Sequence, residues 1–198
     1  FTPIVSLREG DFSESRIYPE APESVQDTVD NYQRVLETAG AICDEYIAPR
    51  AADVDREGCH YENGNVQYAK ATDESLAVVS KAGFMGLSLP RKYEGLNLPQ
   101  IVSSMFVEMV SRADASIMNI VGLQDIANTV NKFSNEELKQ SYLPRFARGE
   151  VTGAMALTEP EAGSDLQAIQ IRATEDKENN CWRLTGVKRF ITNGCGEI

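Results

Sequence analysis

The chain has 198 residues, 42% hydrophobic and 25% charged, with 14 Gly and 8 Pro. Those proportions exclude whole-chain disorder, a collagen repeat and a disulfide scaffold, and leave room for one or two domains with a sizeable core. Nineteen Lys and Arg stand against 30 Asp and Glu, a formal net charge of -11, and such a surface speaks against nucleic acid or anionic lipid as a partner.

The leading residues, FTPIVSLREGDF, have neither an initiator Met nor the apolar run of a signal peptide. The closing residues, ITNGCGEI, lack a cap or polar tail, so both ends read as cut. No stretch approaches the roughly 20 apolar residues of a membrane span. Cys43, Cys59, Cys181 and Cys195 form no C-x-x-C pair, which suits a reduced, intracellular protein. The adjacent Cys59 and His60 are a faint metal hint, and ordinary loop residues explain them better.

Residues 1–21 carry little periodicity and are expected to form an extended lead-in. From Pro22, Val25, Val29, Tyr32, Leu36, Ala39, Cys43 and Tyr46 recur at helical spacing, and Pro49 should end that helix. Residues 50–69 read as a polar loop. A second helix begins at Thr72, with the Thr hydroxyl as its cap, and closes at Gly83. An irregular stretch broken by Pro90, Gly95 and Pro99 follows.

Leu98, Ile101, Val102, Met105, Phe106, Met109 and Val110 then give the strongest helical stripe. Asp114 caps the next helix, which is apolar nearly all round from Ile117 to Val130 and should therefore be central. Ser134 and Glu137 suit a capping box for the last helix, where Leu138, Tyr142 and Phe146 share a face and Gly149 ends it.

After Gly149 the pattern turns to β. VTGAMALT, IQIRAT, CWRLTG and VKRFIT read as short strands, the last two pairs separated by polar turns. The expected fold is mainly α, α+β: a helical bundle domain over 1–150, then over 151–198 the first strands of a truncated β-barrel or sandwich domain. No G-x-G-x-x-G or Walker phosphate loop is present.

Two segments can carry chemistry. In MALTEPEAGSD a strand ends at Thr158 and the chain turns at Pro160. The loop Ala162-Gly163-Ser164 then offers backbone N–H groups and a hydroxyl, which fits either a cradle for a phosphate oxygen or a plain polar turn. In VKRFITNG, Phe190 and Thr192 would share one face of a strand ending in an Asn193-Gly194 turn, which fits either a ligand face or an edge of the β core.

The pair MALTEPEAGSD and GVKRFITNG resembles the flavin-binding signature of the acyl-CoA dehydrogenase family. LPRKYEGLNLP is similar to that family's P-x-x-Y-G-G-x-G loop, with Glu94 where Gly is usual, and SYLPRFARGE resembles its K-Y-L-P-x-L-x-x-G-E helix end. The resemblance implies FAD as cofactor. Leu157 and Thr158 would bond the isoalloxazine edge, with Met155 and Ala156 lining that side. Gly163 and Ser164 would hold the pyrophosphate, Ser164 also lying near the substrate thioester and pantetheine arm. Phe190, Ile191 and Thr192 would border the flavin, Thr192 donating near its hydride-accepting nitrogen. Glu161 departs from the usual Gly, and its carboxylate is tolerable beside a pyrophosphate only if it points to solvent.

The reaction so implied is α,β-dehydrogenation of an acyl-CoA, with electron-transfer flavoprotein as acceptor. Homodimers or homotetramers are implied for the whole protein, in a bacterial cytoplasm or a mitochondrial matrix. The family's glutamate base belongs beyond Ile198, so no catalytic residue falls within this chain, and Glu159 is no substitute for it. An acyl-CoA oxidase, a flavin monooxygenase of the same fold and a non-catalytic helical interaction module are the alternatives.

Overall fold

The computed structural model describes residues 2–195. It divides into two compact units, one reaching to Gly153 and one running from Ala154 to Gly194.

The first unit is helical. α1 spans Thr2–Glu9 and a 3-10 turn follows at Ser13–Arg16, so the expected extended lead-in is helical instead. The cause is tertiary. Val5 is fully buried, and the buried Arg91 guanidinium bonds both Glu9 oxygens at 2.8 and 2.9 Å and Glu14 at 2.7 Å. Local periodicity carries no trace of partners some 80 residues away.

α2 spans Val25–Ala41, capped by Ser24, whose side chain accepts from Asp27 N. Pro49 does not end the helical path. A π-turn at Ile42–Ile47 leads through a 3-10 turn, Ala48–Arg50, into α3, Ala51–Glu57. Pro49 stands in the first turn of a new segment, where its missing N–H has no acceptor to lose. The wider π-turn also rotates the buried face, so Ile47 is buried where Tyr46 was expected, and Tyr46 stacks under Arg50 at 3.7 Å.

The presumed loop 50–69 holds α3 and an antiparallel hairpin, β1 His60–Glu62 with β2 Asn65–Gln67. Asn63 and Gly64 turn it with φ of 53° and 90°, the two positive values that a tight hairpin turn requires.

α4 spans Lys70–Lys81, starting after Ala69 with no side-chain cap, and Thr72 is buried inside it. Gly83, at φ 77°, ends it as expected. α5 covers Gln100–Ala113, and Asp114 caps α6, Ala115–Leu123, by accepting from Ser116 N. The long central helix is broken: α7 spans Ile126–Phe133. At the break the buried Gln124 amide donates to Phe146 O and Val151 O, which binds the junction to the end of the last helix. That helix, α8, spans Glu136–Ala147 and is capped by Asn135, not Ser134. Its buried face is Leu143, Phe146 and Ala147, while Leu138 and Tyr142 are about two-fifths exposed.

Two apolar clusters hold the unit. One gathers Tyr32, Val79, Phe84, Phe106 and Ile117, with the Phe84 and Phe106 rings edge to face at 5.3 Å. The other packs Leu89, Tyr93, Ala127 and Val151 around α8.

The second unit holds one hairpin, β3 Arg172–Asp176 with β4 Cys181–Thr185, in the register Arg172 to Thr185. VTGAMALT and VKRFIT are not strands: residues 154–158 run without a ladder, and Phe190 lies at φ 56°, off the strand conformation.

Candidate functional site

The first motif segment is organised by Glu159. Its N–H donates to Ala162 O at 3.0 Å and its carbonyl accepts from Ala162 N at 3.2 Å, closing a turn through Pro160 and Glu161. Proline's fixed φ suits that second turn position. Glu161 is exposed at the next, so its carboxylate points to solvent, the condition set for it above. Asp165 accepts from Gln167 N and caps the 3-10 turn Leu166–Ala168.

The Glu159 side chain is buried and accepts three hydrogen bonds: from Gln170 N at 2.7 Å, Ile171 N at 3.0 Å and Lys188 Nζ at 3.0 Å. The Gln170 amide first, then the Lys188 ammonium, hold this carboxyl below the usual glutamate range. These three bonds engage the carboxylate as an anion within the fold.

Lys188 Nζ also donates to Leu157 O at 2.7 Å, and Arg189 N donates to Thr158 O at 2.9 Å. The two motif segments therefore lie side by side. Leu157 N turns back onto Met155 O at 3.0 Å, so both main-chain polar groups of Leu157 are engaged within the chain. The Thr158 hydroxyl takes no part in these bonds.

Gly163 folds back toward Thr158. A Cβ at Gly163 would meet only Thr158 Cγ2, at 3.8 Å, and its φ lies outside the left-handed region. Neither packing nor backbone conformation within the chain demands glycine there. A small residue that the fold itself does not require fits close approach by something outside the chain. Ser164 beside it is exposed.

The second motif differs from its expected form. Phe190 and Thr192 do not share a strand face. Phe190, at φ 56°, is a conformational outlier for a bulky residue, and Thr192 sits in a turn closed by Gly194 N to Ile191 O at 3.1 Å. Asn193, at φ 58°, makes that turn possible, as the Asn-Gly pair foretold. Phe190 is 84% exposed, with the Arg189 guanidinium over its ring, at 4.9 Å. Met155 and Leu157 are also open, and Ala156 lies exposed between them. Strained and solvent-exposed apolar groups concentrate where ligands bind.

These features fit a flat aromatic group with an anionic tail: exposed apolar side chains and a hydroxyl on adjoining segments, beside an unencumbered Gly-Ser loop. Sequence reasoning missed Lys188, and its only signal was a cation two residues before Phe190 within VKRFITNG. Cys59 and His60 are exposed, and no group of three or more His, Cys, Asp or Glu among the described residues could hold a metal.

Helical unit first, β unit second, with both motifs on the second: this defines the class, and known proteins share it. The acyl-CoA dehydrogenase N-terminal domain profile matches residues 30–150, and the middle domain profile matches residues 154–195. The chain belongs to the acyl-CoA dehydrogenase family. It is 32% identical over 167 residues to the 3-methylmercaptopropionyl-CoA dehydrogenase of Ruegeria pomeroyi, covering 84% of this chain and 28% of that one. The mitochondrial isovaleryl-CoA dehydrogenase of Pongo abelii is 28% identical over 174 residues, covering 87% of this chain and 38% of that one. The crystal structure of a Bacillus anthracis acyl-CoA dehydrogenase complexed with FAD superposes with a TM-score of 0.68 at 26% identity, over 83% of this chain and 26% of that one. The chain thus spans well under half the length of these relatives.

Proposed function

We propose that this chain is the amino-terminal portion of an FAD-dependent acyl-CoA dehydrogenase and supplies one wall of the flavin site. The observation that carries the reading is the bond from Arg189 N to Thr158 O, which joins the two motif segments into one edge. The chemistry FAD supplies when bound is acceptance of a hydride from the β-carbon of an acyl-CoA thioester.

The roles of this chain's residues are positional. The Thr158 hydroxyl donates to the isoalloxazine edge, and Met155, Ala156 and Leu157 line it and exclude water. Gly163 lets the pyrophosphate approach the backbone, and Ser164 bonds it and borders the pantetheine arm. Phe190 and Ile191 cover a side of the ring, and Thr192 offers a fixed donor there. The α-proton is removed by a glutamate outside this chain, and electron-transfer flavoprotein takes the electrons onward.

The test is FAD titration of the uninterrupted gene product, followed by flavin absorbance and by acyl-CoA-driven reduction of an electron acceptor. Thr158→Val should weaken FAD about tenfold, the worth of one buried hydrogen bond. A protein that takes up no FAD, or a Thr158→Val variant that binds it unchanged, overturns the assignment. Oxygen consumption with peroxide formation would redirect it to an oxidase.

A further inference from the structure

We propose that Glu159 and Lys188 are positioning residues that staple the two motif segments together and thereby set where Thr158 meets the flavin. The proposal rests on the preceding reading, and its test is chosen to separate the two.

The staple is visible bond by bond. The Lys188 side chain is 18% exposed, and its ammonium divides its donors between Leu157 O at 2.7 Å and Glu159 Oε1 at 3.0 Å. It therefore grips the first segment on both sides of Thr158. The Glu159 carboxylate, 6% exposed, spends its remaining capacity on the consecutive amides of Gln170 and Ile171. That second grip fixes the approach to β3, whose first residue is Arg172. One ion pair thus ties together three stretches: 157–159, 170–171 and 188–189.

The staple also substitutes for a missing ladder. Neither motif segment is a strand, and among the described residues the main-chain bond from Arg189 N to Thr158 O joins them. A single such bond leaves the segments free to twist about it. Lys188 adds a second tie one residue away on each chain, and two ties define an orientation. Charge-assisted bonds are the stronger kind, so the pair can hold a geometry that one amide bond cannot. Neither side chain is needed to touch the ligand. The Glu159 carboxylate is taken up by the amides of Gln170 and Ile171, while its main chain closes the turn through Pro160 onto Ala162.

The experiment uses the uninterrupted gene product and two readouts. Amide hydrogen exchange is read first without FAD, and FAD affinity is then read by titration. In Lys188→Met, exchange at Gln170, Ile171 and Arg189 should rise about tenfold, while the amides of α5 and α8 keep their protection. FAD should bind about tenfold more weakly. Lys188→Arg should restore both. Glu159→Gln removes the same pair from the other side and should reproduce the Met variant, which guards against a folding defect peculiar to one substitution.

Unchanged exchange in both variants overturns the staple. Raised exchange with unaltered FAD affinity overturns the positioning role. An unsubstituted protein that takes up no FAD overturns the flavin reading, and with it the purpose given to the staple, while exchange still decides whether the staple exists.

Discussion

At the scale of single residues, the informative positions are polar groups whose surroundings fix their charge. Glu159 is held below the ordinary glutamate range by the Gln170 amide and by Lys188. A depressed carboxyl stabilises the folded state above its unfolded value, about 4.3, and that contribution is lost as pH falls through the lowered one. Acid titration should therefore release the second unit's Glu159 contacts only below about pH 4, seen as loss of protection at Gln170 and Ile171. Tyr32 shows the opposite sign. Burial, with the Glu9 charge adding to it, pushes its phenol up to about 12. The stability tied to the neutral phenol is complete below its ordinary value of about 10 and is lost as pH rises from there toward 12. The Tyr32 hydroxyl is buried and has no hydrogen-bond partner among the described residues. Tyr32→Phe should accordingly raise stability by about 1 kcal/mol in urea unfolding and abolish the alkaline loss. Glu94, where the family pattern has Gly, sits at φ 64° and pairs with Arg148 at 2.7 Å. The ion pair offsets a backbone conformation that glycine would adopt without strain.

At the scale of elements, α1 is the least expected feature, and buried contacts fix it. The N-terminal domain profile begins at residue 30, so α1 lies outside it. Arg91 and Glu9 form an ion pair with side chains 4% and 2% exposed, and the Arg8 guanidinium donates to Asn97 O at 2.7 Å from the same helix. Removing one partner strands the other charge. Arg91→Met should cost about 3–5 kcal/mol in chemical denaturation and free α1 to exchange. Elements set by short-range signals were legible: α5 by its apolar stripe, the start of α6 by Asp114, the end of α4 by Gly83. The β1–β2 hairpin was read as loop: Asn63-Gly64 is a turn signal, but three-residue strands with mostly exposed side chains leave no alternation to read. The α8 cap fell one residue away, because Ser134 and Asn135 are both good caps and only the main-chain path chooses between them.

At the scale of the whole chain, the helical unit has two apolar clusters, whereas the second unit rests on a two-stranded hairpin with Trp182 and Leu184 open. A lone hairpin is marginal in water. We expect these 198 residues alone to leave FAD loosely held and to reduce no acceptor with butyryl-CoA or palmitoyl-CoA, and the uninterrupted gene product to hold FAD and to reduce the acceptor; flavin absorbance and acceptor bleaching check it.

The sequence by itself determined the family and the succession of helical then β character, because motif residues and local periodicity are written in neighbours a few positions apart. It also marked the turns at Pro160 and Asn193-Gly194, where residue type limits φ. Only the tertiary structure decided that α1 is helical, that Glu159 and Lys188 meet, and that Phe190 leaves the strand conformation. The first two depend on groups brought together from distant positions, and burial of a charge is decided by the partner that arrives to satisfy it.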